Sequence, residues 1–325
     1  MRRLLLGAVQ AAALRRFVVL VLALAGLLAA PAAATARVVI GIGDQKTEMF
    51  GDPRFKALHI THARLTVSWD ALEYAWSRQE VDDWLSTARA SGVTPLITFS
   101  HSRLAGRRRV LPSTGLFAYE FHLFRKRYPW VRTFATWNEV NHCGEPTCHR
   151  VARVVSYYKA IRRLCPRCTV LAGELLDFPN MVSWVQQFQR IAKVDPKYWG
   201  LHNYRDANRL QTINTRNLLR ATKGEIWLTE TGGIVNRRNK SSVSFPQSPA
   251  HAALATRWVF DRIVPLSGRI RRVYLYHWNA QTPFDTWDSA LIGPDDHARP
   301  ALAVLRRVLG IGSRLAATKP HRRKR

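Results

Sequence analysis

Acidic side chains are scarce in this 325-residue chain, where 22 Asp and Glu stand against 50 Lys and Arg. The formal charge of +28 attracts polyanions such as acidic polysaccharide, anionic lipid or cell-wall polymers. The basic residues are spread along the chain, and only Lys319–Arg325 forms a dense run, so no specific nucleic-acid interface is expected. A genomic preference for Arg would give the same excess, and composition alone leaves both readings open. Internal repeats and low-complexity linkers are also missing, which leaves room for one domain of barrel size. A Gly-rich phosphate turn is absent too. Gly41-Ile42-Gly43 is a fragment of one, and a doubly wound nucleotide-binding sheet needs the whole motif after its first strand. Beyond residue 36 no long apolar run occurs, so the mature chain carries no membrane span.

The first 36 residues read as a secretory leader. Arg2, Arg3, Arg15 and Arg16 precede the apolar run Phe17–Ala30, and Pro31 with small residues to Ala36 offers a cleavage site. Losing those four arginines lowers the charge from +28 to +24. The expected divisions are a leader over 1–36, one domain over 37–313 and a disordered basic tail over 314–325. A monomer, secreted or held at the cell wall, is expected. The four cysteines fall in two close pairs, Cys143/Cys148 and Cys165/Cys168. In an exported chain disulfides are the first reading, with local pairing foremost among three connectivities. His142-Cys143 and Cys148-His149 also place four soft ligands within eight residues, the composition of a zinc site. Disulfides are the expectation here, with no metal and no cofactor.

From Val38 onward short apolar runs alternate with helical periodicity. Strands are expected at Val38–Ile42, Ala63–Trp69, Thr94–Phe99, Val131–Trp137, Thr169–Gly173, Tyr198–Tyr204, Glu225–Thr229 and Arg272–Trp278. Helices are expected between them, among them Glu80–Ala90, Leu116–Tyr128, Val151–Leu164, Asn180–Lys193 and Pro249–Ile263. Eight near-continuous apolar strands, each followed by a helix, predict an α/β fold of the (β/α)8 TIM-barrel type in a single domain.

In such a barrel the chemistry sits where strands run into the following loops. Those positions hold Asp44, Arg64, Trp69, His101, Asn138-Glu139, Glu174, His202, Tyr204, Glu230 and Trp278. Asp44 and Glu174 read as solvated loop carboxylates. Trp287-Asp288, after the eighth strand, reads as a plain loop or a substrate wall. Two strands end in a Glu, Phe134-Ala135-Thr136-Trp137-Asn138-Glu139 and Glu225-Ile226-Trp227-Leu228-Thr229-Glu230. A pair of carboxylates facing one cleft is the minimum equipment for glycoside hydrolysis. The chain has 11 Trp, whose flat faces suit either a core or a sugar-binding platform.

The pattern resembles the retaining glycosidases on (β/α)8 barrels grouped as clan A, including cellulase-like and xylosidase-like members. The strand rhythm carries the resemblance along the whole mature chain. Its specific part is Trp137-Asn138-Glu139 after the fourth strand, His202-x-Tyr204 after the sixth, Glu230 after the seventh, Trp278 after the eighth, and Arg64 in the second. The resemblance implies Glu139 as acid/base and Glu230 as nucleophile, acting on a β-linked carbohydrate. The pKa values of the two must then be pushed apart. Arg64 and Tyr204 are suited to keeping Glu230 ionised, Asn138 to bonding a sugar 2-hydroxyl, and Trp278 to lying beneath the sugar. Trp69, His101 and His202 complete the expected substrate-binding or supporting set.

The basic surface makes a separate claim on polyanions. Charge attraction is screened within about 8 Å at physiological ionic strength, so retention on an acidic polysaccharide matrix should fall steeply with added salt. It should fall further when Lys319–Arg325 is deleted. Retention indifferent to both changes would show that the charge has no such role.

Overall fold

The computed structural model describes residues 38–237 and 245–311. The expected leader over 1–36 and the basic tail over 314–325 lie outside the described residues. The strands are β1 (Val39–Gly43), β2 (His62–Ser68), β3 (Thr94–Ser100), β4 (Thr133–Ala135), β5 (Thr169–Leu171), β6 (Glu174–Leu176), β7 (Tyr198–His202), β8 (Glu225–Thr231), β9 (Asn236–Arg237), β10 (Ile270–Tyr276) and β11 (Trp287–Asp288). Nine of them form one sheet in the order β5-β4-β3-β2-β1-β10-β8-β7-β6, and every pairing in it is parallel.

The ends of that order are two halves of one extended segment, parted only by Ala172 and Gly173. Backbone bonds cross the seam, from Ala172 N to Tyr198 O and from Gly200 N to Gly173 O, both 3.0 Å. The sheet therefore closes on itself, and β5 with β6 occupies the place of the fifth of eight expected strands. The (β/α)8 barrel read from the sequence is the observed fold.

Helices cover the outside at 75–90, 114–127, 151–164, 181–192, 213–221, 249–258 and 300–308. Their ends carry recognisable signals. Ser113 Oγ accepts from Leu116 N, and Ser248 Oγ accepts from His251 N with Pro249 at the first helical position. Gly92, at φ +68°, takes the left-handed turn that ends the 75–90 helix. This helix begins five residues before the expected Glu80. Its first turn, Ala75 to Gln79, lacks an apolar pattern because that turn borders a cavity rather than the core.

The barrel interior is graded. Its floor is apolar, made by Leu96, Ala135, Leu171, Trp227 and Tyr274. Above the floor stand polar side chains, Arg64, Thr98, Glu174 and His202, all buried. Small residues make room for them. A Cβ on Gly41 would lie 2.6 Å from the Tyr274 ring, and one on Gly200 would lie 2.6 Å from Glu174 Cγ and 2.9 Å from Thr229 Oγ1. The main core lies between sheet and helices, where Phe99, Phe134, Trp199 and Leu228 meet Phe121, Tyr158, Phe188 and Leu305.

Gly200→Ala should therefore cost about 1–3 kcal/mol of stability, the usual effect of overpacking, measured by urea denaturation. Gly51→Ala is the control, since a Cβ there meets nothing within 4 Å. Equal midpoints for the two variants would show that the interior is not full at Gly200.

Candidate active site

Arg64, central in β2, points into the barrel and is 1% exposed. Its guanidinium grips Glu174 through Nε–Oε1 at 3.0 Å and Nη2–Oε2 at 2.5 Å. The same group donates to Glu230 Oε2 through Nη1 at 2.9 Å and to Asn138 Oδ1 through Nη2 at 2.8 Å. Thr98 Oγ1 donates to Glu174 Oε1 at 2.9 Å. Tyr204, in the first turn after β7, donates its hydroxyl to Glu230 Oε1 at 3.1 Å. Glu230 thus has one oxygen on a cation and the other on a hydroxyl.

Glu139 lies four residues beyond β4 and takes a left-handed backbone with φ +45°, a conformation unfavourable for a side chain of this kind. Bonds on both sides hold the turn. Asn138 N donates to Phe99 O on β3 at 2.7 Å, and Val140 N to Glu174 O on β6 at 2.9 Å. Asn141 locks on by exchanging bonds with Leu176 O and Leu176 N at 2.9 and 2.8 Å. The Glu139 carboxylate then stands 3.2 Å from His202 Nδ1 and 3.4 Å from His142 Nδ1. One carboxylate oxygen each of Glu139 and Glu230 and a ring nitrogen of His202 lie within 4.8 Å of one another.

This cluster opens into a cavity of about 750 Å³ lined by Glu139, Glu230, Asn138, His101, Tyr276 and Trp287 among others, a size typical of small-molecule sites. The cavity runs toward the exits of β1, β2 and β3. His101 is held by Glu145, with Nδ1–Oε1 at 2.6 Å, and the other Glu145 oxygen accepts from Trp137 Nε1 at 2.9 Å. Glu145 sits between Cys143 and Cys148, which form a disulfide, as do Cys165 and Cys168. Local pairing is thus the observed arrangement, and the sulfurs next to His149 are bonded to each other.

Charge is shared unevenly. For Glu174, burial alone would raise the pKa, but the Arg64 charge and the His202 ring bring it down to about 2. Burial alone would lower the pKa of His202; the Glu230 charge and the bonds to Glu139 and Glu174 outweigh this and raise it to about 9. The Glu139 carboxyl is held well below its ordinary range, because His142 and His202 outweigh the effect of its burial. This departs from the sequence expectation, in which Glu139 carries a proton near neutrality. The His202 imidazole holds its proton at neutral pH.

Arg64, Asn138, Glu139, His202, Tyr204 and Glu230 come together as expected, with His101 on the cavity wall. Two of the expected substrate-binding residues do not line the cavity. Trp278 is 1% exposed, packs edge-on against Phe55 and donates its Nε1 to Asp52 Oδ2 at 2.9 Å. It does not line the cavity, so it is no platform beneath a sugar. Trp69 is also buried away from the cavity, under the Arg107 guanidinium at 5.2 Å. The open aromatic faces belong to Tyr276, linked by a cis peptide to His277, and to Trp287, which packs edge-on against Tyr204 at 4.8 Å. Trp287 is therefore a wall of the cavity rather than a plain loop residue. Glu174 and Asp44 are not solvated loop carboxylates. Both are buried, and Asp44 accepts from Trp278 N at 2.8 Å while pairing with Lys46 at 3.3 Å. Sequence reasoning missed Glu145, which carries no local signal beyond its place between two cysteines.

No family model matches the chain, and no curated protein matches it. Solved structures do. A family 39 glycoside hydrolase from the gut symbiont Bacteroides cellulosilyticus WH2 is 14% identical over 83% of this chain and 63% of its own, with a TM-score of 0.53. The chain thus spans under two thirds of that protein. Xylanase 10B from Thermotoga maritima is 12% identical over 86% of this chain and 96% of its own, with a TM-score of 0.61. The fungal β-1,4-galactanases are 14% identical over 84% and 100%, with a TM-score of 0.62. At these identities the likeness shows the fold, a (β/α)8 barrel shared with glycoside hydrolases.

The raised pKa of His202 links site and stability. The native state binds that proton more tightly than the unfolded chain, so the contribution is complete below about pH 6.5 and is lost as pH rises through about 9. An NMR titration should find the His202 imidazole changing state near pH 9, with unfolding free energy declining across that window. A midpoint near 6.5 would contradict the arrangement.

Proposed function

We propose that this protein is an exported glycoside hydrolase that cleaves a β-linked oligo- or polysaccharide with retention of configuration. One observation carries the reading. Glu139 and Glu230 face one cavity from the exits of β4 and β8, with carboxylate oxygens within 4.8 Å. Retaining enzymes place their two carboxyl groups about 5–5.5 Å apart, whereas inverting ones leave roughly 6.5–9.5 Å for a water. In this reading Glu230 attacks the anomeric carbon as the glycosidic C–O bond breaks, and Glu139 gives its proton to the leaving oxygen. Water then attacks the glycosyl-enzyme with Glu139 as base. Arg64 and Tyr204 hold the Glu230 oxygens for attack, and Asn138, bonded to Arg64, is placed to meet the sugar.

The acid step needs a proton on Glu139, whose ionised form is favoured by its His142 and His202 neighbours. A bound sugar supplies the reason for transfer. It closes the carboxylate, 21% exposed on its side chain, off from water and raises the cost of its charge, while the His202 ring stands 3.2 Å away as proton donor. In the second step an ionised Glu139 is the required base. The same cavity also suits a second reading, a barrel that binds carbohydrate without turning it over. Export rests on the leader sequence and agrees with two disulfides. Among the described residues no helix is long and apolar enough to cross a membrane.

Hydrolysis of aryl β-glycosides separates these readings. Glu230→Ala should abolish turnover on every substrate. Glu139→Ala should lose about 10²–10⁴ on poor leaving groups, keep the first step on activated ones, and regain turnover with azide. Wild-type protein that binds but never hydrolyses would leave the binding reading. Equal loss in both variants without azide rescue would overturn the assigned roles.

A further inference from the structure

The cavity is longer than the catalytic pair requires. From Glu139 and Glu230 it continues past Thr66 and Val67 to Ser77, Glu80 and Arg103. At that far end Arg103 and Glu80 form an ion pair, with side chains 57% and 52% exposed. The Arg103 guanidinium also lies 5.2 Å over the Trp76 ring, and Tyr74 lies beside that ring at 6.4 Å, inclined by 21°. Trp76 keeps 44% of its surface open, whereas the six largest fully buried side chains among the described residues are all Trp. Trp76 serves neither the core nor the cavity wall itself but stands beside the cavity mouth formed by Ser77, Glu80 and Arg103, and it is held in place. Arg103 steadies the ring, Arg107 bonds the Tyr74 hydroxyl, and Ser77, the next residue, is buried against the cavity.

We infer that Trp76, Arg103 and Glu80 form a second sugar subsite, remote from the catalytic carboxylates, and that the substrate is therefore a chain of sugars rather than a single glycoside. The chemistry matches a pyranose unit. Its C–H face packs on an open indole, while neighbouring hydroxyls give hydrogen bonds to the Glu80 carboxylate and take them from the Arg103 guanidinium. An exposed aromatic fixed by a cation over its ring also loses little freedom on binding. The inference rests on the glycosidase reading for its substrate class, but binding can test it without turnover.

Calorimetry of the Glu230→Gln protein with β-1,4-linked xylo-, galacto- and gluco-oligosaccharides, from disaccharide to hexasaccharide, should show affinity rising with chain length for one series. Adding Trp76→Ala should remove that rise, weakening the longest ligand about tenfold, and Trp76→Phe should restore part of it. Tyr119→Ala, at another exposed ring that does not line the cavity, should change nothing. In the active protein, Trp76→Ala should lower the ratio of kcat/KM on the long substrate to kcat/KM on an aryl β-glycoside by a similar factor. Affinity independent of chain length, or a ratio that Trp76→Ala leaves unaltered, overturns the subsite. Chain-length-dependent binding by a protein that hydrolyses nothing would instead retain the subsite and sink the hydrolase reading.

Discussion

The Arg64–Glu174 pair is the interaction on which the rest of the site depends. Two opposite charges sit in the middle of a barrel, and taking both out of water is costly unless their geometry and remaining hydrogen bonds are satisfied. Here they are. Glu174 is met by Arg64, Thr98 and His202, and the spare donors of Arg64 go to Glu230 and Asn138. The buried pair thus fixes the direction of the outer carboxylate. The Gly200 backbone makes the room for Glu174, so a missing side chain on β7 is part of the electrostatics of β2.

Much of the fold and part of the site are legible in the order of residues alone. Apolar strand runs and their helices predict the eight-part barrel because parallel strands buried on both faces read as near-continuous apolar runs. Glu139, Glu230, His202 and Tyr204 stand out because each is a polar residue at or near the end of such a run, and Arg64 because it is a charge inside one. Glu174 misleads for a physical reason. It follows Gly173 and looks like the start of a loop, but the strand resumes there and turns its side chain inward. Trp278 shows the opposite error. Strand position places it at the rim, whereas the chain beyond Tyr276 turns its indole outward to Asp52 and Phe55. Glu145 is invisible in one dimension because its partners, His101 and Trp137, come from the exits of β3 and β4, and the pairing of those two strands brings them together.

The disulfide segment joins these facts on the acid side of the cavity. Within residues 139–148 the chain supplies Glu139, the His142 that bonds it, and the Glu145 that orients His101, with Cys143–Cys148 closing the loop. An irregular segment of this kind would otherwise be the most mobile part of the site. Cross-linking restricts it in the unfolded chain as well, and a buried carboxylate with both oxygens engaged restricts it in the folded one.

The seam at Ala172 and Gly173 bears on how the chain is assembled. Because β5 and β6 are one segment pairing with β4 on one side and β7 on the other, and because β1 pairs with β10, the complete sheet has no open edge. A chain that stops short of β10 has two. A ribosome that has released only the first half presents β1 paired with β2 on one edge and open on the other, and that edge stays open until residues 270–276 arrive more than two hundred positions later. Unpaired parallel edges recruit other strands. The finished barrel is protected by a contact between its first and last strands, and that protection is the last part of the sheet to be made.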